Sequence, residues 1–167
     1  MRKVYCIALM SFFVGTALAQ NVAVIDGKPI SKKEFIWFYK KNHRGGSDAD
    51  YQQLENYLNQ YINFKLKVLD AKNQGLDKDM AYLNEIKAFE KSVQAQNSKQ
   101  VTKAEYAHVL NEYKEAVLMF NISEIKLWNK AQNDEDQQKL EEEWVSELRK
   151  NHNIKVNKEE IRKLSKP

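Results

Sequence analysis

Three histidines, His43, His108 and His152, are the residues of this chain best suited to acid–base or metal chemistry, and they are scattered. Their spacing matches no metal-ligand pattern and suggests no shared face. The only cysteine, Cys6, lies in an apolar leader, so the mature chain has no thiol nucleophile. There is no G-x-S-x-G, no phosphate-cradling glycine loop and no H-E-x-x-H. Glu141, Glu142 and Glu143 read as a solvated helix face, not as a working carboxylate pair, and Gly45-Gly46 as a flexible connection. The residue types therefore point away from catalysis, and no cofactor or metal is expected.

The leader itself is informative. "MRK" is a basic start, "VYCIALMSFFVG" a short apolar run, and "TALAQ" ends in an A-x-A pattern. Together they predict a secretory signal peptide over residues 1–19, cut near Ala19. The apolar run is shorter than the ~20 residues of a spanning helix. Cys6 lies too early in it for a lipidation site and leaves with the signal. The 27 lysines and arginines then fall to 25 against 23 acids, a net charge of +2 spread evenly, which argues against a nucleic-acid partner. No long apolar run follows, so no stable membrane insertion is expected after cleavage. Residues 20–167 suffice for one domain held by a hydrophobic core without disulfides.

The elements that must position any site are marked by their punctuation. Ser31 and Glu34 form a capping box flanked by Ile30 and Phe35, a hydrophobic staple. Thr102 and Glu105 repeat it with Val101 and Tyr106, as do Asn157 and Glu160 with Val156 and Ile161. Ser47 and Asp134 are plainer N-cap candidates. Gly75 is a left-handed stop with Leu76 packing back, and Asp77 is placed to cap the next helix. Pro29 precedes a cap, where it does no harm. These signals predict helices over 32–42, 48–74, 78–96, 103–131, 135–151 and 158–165. "NVAVIDGKPIS" alternates around Asp26-Gly27, a hairpin signal, and "HNIKVN" is a second alternating run through Ile154 and Val156. Short strands need partners. The expected fold is mainly α: a multi-helix bundle with a small antiparallel sheet formed by the N-terminal hairpin and a C-terminal strand.

Helical wheels identify the core. On the 48–74 helix, Leu54, Tyr57, Tyr61, Phe64 and Val68 form one stripe, and Leu58, Ile62, Leu66 and Leu69 another. They span about 200°, twice the ~100° of a helix packed on one side, so neighbours are expected on two flanks. Lys65 falls between the stripes. Either its stem packs while its ammonium reaches water, or it makes a partly buried ion pair. Glu124, set within the stripe Tyr106, Leu110, Tyr113, Val117, Phe120 and Trp128, is the candidate partner. Trp37 points away from the face formed by Phe35, Phe38 and Tyr39, and Met119 departs similarly from its own stripe. Single exposed apolar residues are common, whereas a contiguous patch signals an interaction.

Three blocks resemble a known family, the SurA-like periplasmic chaperones and parvulin-type peptidyl-prolyl isomerases. "VAVIDGKPISKKEFIWFYKKN" is similar to the family's opening strand, turn and aromatic first helix, and "YLNQYINFKLKVLDAKNQGLD" to its second-helix segment. "EYKEAVLMFNISEIKLWNKA" with "EEEWVSELRKNHNIKVN" is similar to the C-terminal part of longer members. Those members carry parvulin domains between the blocks. Here "KSVQAQNSKQVTKAEY" runs straight across, too short for one and without its histidine and glycine-rich signatures.

The resemblance implies a periplasmic, ATP-independent chaperone core without the isomerase, binding unfolded exported or outer-membrane polypeptides on apolar surface. Contact residues expected on this reading are Trp37, Phe38, Tyr61, Phe64, Met119 and Phe120. Gly27, Ser31, Lys65, Gly75, Thr102, Glu124, Trp128 and Trp144 are expected to be structural. A dedicated interaction subunit that docks on a folded partner or on itself is the alternative, and a residual isomerase the second. Neither client identity nor oligomeric state follows from the sequence.

Overall fold

A computed structural model describes residues 21–43, 49–96 and 102–166. The signal-peptide expectation, the Ser47 cap, Gly45-Gly46 and Val101 all fall outside these residues. The chain is mainly helical with one three-stranded antiparallel sheet. It divides into two compact units, one of residues 1–55 and 154–167, the other of residues 56–153.

The first unit begins with strands β1 (Asn21–Ile25) and β2 (Lys28–Ser31). Asp26 and Gly27 both have positive φ, +48° and +78°, the backbone of a tight primed turn whose twist suits a hairpin. Strand β3 (Ile154–Val156) pairs with the other side of β1, Val24 opposite Lys155, so the order is β2-β1-β3. Pro29 is thereby placed on an edge strand, which tolerates its missing donor. A register shift between Asn21 and Ala23 accompanies the burial of both Val22 and Ala23, where strict alternation would expose one.

Helix α1 (Lys32–Asn42) starts on Ser31, whose Oγ accepts from the Glu34 amide at 3.1 Å, with Ile30 and Phe35 both buried around the cap. Helix α2 (Tyr51–Asn73) starts on a reciprocal pair not anticipated from the sequence. Gln53 N–H donates to Asp50 Oδ1 at 2.8 Å, and Asp50 N–H donates to Gln53 Oε1 at 3.1 Å. Helix α6 (Lys158–Leu164) is capped by Asn157, which accepts from the Glu160 amide at 3.2 Å. Asn157 N–H in turn donates to Val22 O at 2.9 Å, tying the helix start to β1. Glu160 is buried and held by Lys163 and Lys32.

The second unit holds the remainder of α2, then α3 (Met80–Gln96), α4 (Lys103–Ser123) and α5 (Asp134–Asn151). Helix α2 ends at Gly75, whose φ of +79° is the expected left-handed stop. The next cap is Asp79 and not Asp77. A 3-10 turn over Leu76–Lys78 intervenes, and Asp79 Oδ1 accepts from the Ala81 amide at 2.7 Å. Thr102 and Glu105 form the expected capping box on α4. Helix α5 is capped by Asn133, one residue before Asp134, because its Oδ1 is the acceptor for the Asp136 amide at 2.9 Å.

Within this unit α2 has neighbours on two flanks. Lys65 and Lys67, two residues apart, point to opposite sides of a helix. Lys65 Nζ meets Glu115 of α4 at 2.6 Å, while Lys67 bonds Glu141 of α5 and lies 5.1 Å from the centre of the Trp144 ring. Glu115 is 6% exposed and Glu124 is exposed, so the expected Lys65–Glu124 pairing is corrected to Lys65–Glu115. Farther along the α5 side, Arg149 Nε donates to Asn63 Oδ1 at 2.7 Å, and Trp144 Nε1 donates to Asp70 Oδ2 at 2.8 Å. Trp144 is buried, in keeping with a structural role.

Candidate functional site

The sequence predicts one continuous helix over 103–131. Instead, α4 gives way to a π-helical turn over Glu124–Trp128, closed by Asn129 N–H donating to Glu124 O at 3.1 Å. A π turn adds one residue to the helical cycle. Across it, a separation of eight residues does the work of seven, which is two turns of α-helix. Phe120 and Trp128 are therefore brought onto one face, their ring centroids 4.8 Å apart and their planes at 65°, an edge-to-face pair. The inner line shows the same phase change: buried Leu118 and Ile122 are four apart, and Ile122 and buried Leu127 five.

The outer face is apolar and open. Phe120 is 54% exposed, Ile125 43% and Trp128 40%. The stripe that places Phe120 and Trp128 in the core on a regular wheel is thus corrected, and Trp128 lies on the surface. Glu124 stands at the start of the π turn, exposed. The turn is anchored from below by charge. Lys126 Nζ lies 3.7 Å from Asp70 Oδ2, the same oxygen that accepts from Trp144. Ser123 Oγ donates to Met119 Sδ at 3.4 Å, fixing the half-buried Met119 beside Phe120.

The other expected contact residues divide differently. Phe38 and Tyr61 are buried, so as they stand neither presents a binding surface. Phe64 is half-buried and stacks on Tyr61 with centroids 5.9 Å apart. Trp37, in the first unit, is half-buried and not a freely projecting ring. Of the six residues, Phe120 is strongly exposed, with Met119 next to it. Ile125 and Trp128 escaped sequence reasoning because a fixed 100° step cannot register an inserted residue.

Among the described residues, no group of three or more His, Cys, Asp or Glu is arranged to hold a metal ion, and no helix is long and apolar enough to cross a membrane. His43 stacks on Tyr39 with centroids 4.1 Å apart, and its Nδ1 lies 2.9 Å from Tyr39 O, which is the setting of a helix C-cap. What the site can do is bind, by covering an aromatic pair. Comparison with protein-family models, with curated proteins and with solved structures finds no match for this chain.

Proposed function

We propose that this protein is a chaperone-like module of the periplasm that binds unfolded exported polypeptides, among them outer-membrane proteins, by covering their apolar and aromatic side chains with the face formed by Phe120, Ile125 and Trp128. The observation that carries the reading is the exposed edge-to-face pair, aligned by a π turn. Aromatic rings bury large area at little entropic cost, and solvent-facing clusters of them on soluble domains mark interaction sites. The resemblance of three sequence blocks to SurA-like chaperones supports the client class. Binding on this reading is reversible, draws on no nucleotide, and proceeds without isomerase chemistry.

The test is dilution of an urea-unfolded outer-membrane protein into buffer containing the chaperone, with light scattering as readout. Suppression of aggregation is expected near equimolar ratios, and a Phe120→Ala, Trp128→Ala double variant should lose most of it while keeping its helicity. No suppression at molar excess overturns the proposal. So does saturable binding of one folded partner with no binding of unfolded chains, which would identify a dedicated interaction subunit.

A further inference from the structure

A pocket of about 180 Å³ opens in the sheet-bearing unit, lined by α1, the first turn of α2 and the end of α6. Its buried lining is Phe35 and Tyr39, with ring centroids 6.4 Å apart, and Leu54. Half-buried Ile36 and Leu164 and exposed Lys40 complete it, so the pocket is open to solvent on that side. An apolar cavity of about 150 Å³ is large enough to take up benzene, so there is room here for one ring.

Lys40 is the one charged residue of the lining, and it neighbours Ile36 on the α1 surface as i and i+4. Among the described residues no acid is paired with it. The acids of the surrounding elements are engaged or distant. Glu55 takes Lys158 at 3.2 Å and the Tyr51 hydroxyl at 2.9 Å, Asp50 caps α2, and Glu160 holds Lys32 and Lys163. Glu34 and Glu159 lie in the first turns of α1 and α6, away from Lys40 and Leu164 at the other ends. The described residues of this unit carry ten lysines and arginines against six acids, whereas those of the helical unit carry thirteen against sixteen. Charge that is mixed along the sequence is thus sorted by the fold, and the field around the pocket favours an anion.

We propose that this pocket binds a compact aromatic carboxylate, its ring among Phe35, Tyr39, Leu54 and Leu164 and its carboxylate on the Lys40 ammonium. The same chemistry is offered by a free arylalkanoic acid and by a phenylalanine at the carboxyl end of a peptide. Burial of the ring supplies most of the affinity, and the solvated ion pair adds selectivity over the neutral analogue. The site lies in the other unit from the aromatic face and does not depend on it.

The experiment is an NMR titration of the labelled protein with 3-phenylpropionate and with 3-phenylpropionamide, which keeps the ring and loses the charge. The acid should shift the amide signals of Ile36, Lys40, Leu54 and Leu164, and the amide should bind about fivefold more weakly. Lys40→Met, at an exposed position, should leave the circular dichroism spectrum unchanged and bring the two ligands to equal affinity. A second arm uses Gly-Gly-Phe with a free or an amidated carboxyl end. A preference for the free end assigns the site to chain termini, and no binding of either peptide assigns it to small acids. Equal binding of acid and amide by the unsubstituted protein overturns the proposal. So does no response to the acid up to about 20 mM, or shifts confined to residues outside the pocket.

Discussion

In the sheet-bearing unit the most deeply buried side chains are Val22, Ile30, Phe35 and Ile161, and among its described large apolar residues only Val156 is strongly exposed. The helical unit also has an apolar core, through Leu58, Ile62, Leu66 and Leu118, yet it buries Lys67 and Glu115 and exposes Met80, Leu83, Phe120, Ile125 and Trp128. Both units bury charge, Glu160 in the first and Lys67 and Glu115 in the second, but the helical unit also carries most of the exposed large apolar residues. Departures of that kind cost stability unless they are paired or used. The charges are paired. The apolar face is the part left over, and it is where function is expected.

Substitutions sharpen this contrast. The largest effect should come from Phe35→Ala, which empties a fully buried ring position and should cost about 3–5 kcal/mol in urea unfolding. Next is Lys65→Met. It strands Glu115, whose side chain is 8% exposed, and should cost about 2–4 kcal/mol. Lys67→Met makes the matching control. Its partner Glu141 is 46% exposed and can turn to water, so the loss should stay below about 1 kcal/mol. Equal losses for the two lysines would show that the Lys65–Glu115 pair is not specially buried.

Acid should act through Glu160. Its carboxyl is held below the ordinary 4.5, chiefly by the hydrogen bond from Lys163, with burial opposing and the charges of Lys163 and Lys32 assisting. A carboxyl depressed in the folded state adds stability that is complete above about pH 4.5 and fades as pH falls through the depressed value. Glu160→Gln should therefore be less stable than the parent at neutral pH, and the two should converge in acid. A gap that persists unchanged as the pH is lowered until unfolding would contradict this. The smallest effects are expected on the aromatic face, where Phe120→Ala and Trp128→Ala should each move thermal stability by no more than about 0.5 kcal/mol, the usual range for surface positions. A larger loss would return these rings to the core.

What could be read from the sequence was local. The Ser31, Thr102 and Asn157 caps and the Gly75 stop each depend on residues within one turn, and all four stand where expected. The Asp26-Gly27 turn is equally local, and alternation on the far strand was enough to join β3 to it. Failures arose where an extra residue entered. The 3-10 turn after Gly75 moved the cap from Asp77 to Asp79. The π turn shifted the residues that follow Glu124 and so exposed Trp128. Glu124 itself keeps its α-helical bond to Phe120 O and simply lies on the side of α4 opposite Glu115, the residue that faces Lys65. Glu115 was hidden for another reason. A buried acid and an exposed one look alike in sequence until a lysine fifty residues away supplies the partner.

The strand pairing between Val24 and Lys155 has a consequence for the order of assembly. Those residues lie about 130 positions apart, so the sheet closes a very long loop, and contacts of such separation form late. Helices α3 and α4, by contrast, are near neighbours in the chain and are joined by stacked Phe89 and Tyr113. As the chain emerges during synthesis, the helical unit can assemble while β1 still waits for its last strand. Until residues 154–156 arrive, one edge of β1 carries unmatched amides and carbonyls, the template on which chains misassociate. Truncation just before Ile154 should trap that intermediate, turning the final strand into a latch whose loss converts a folding protein into an aggregating one.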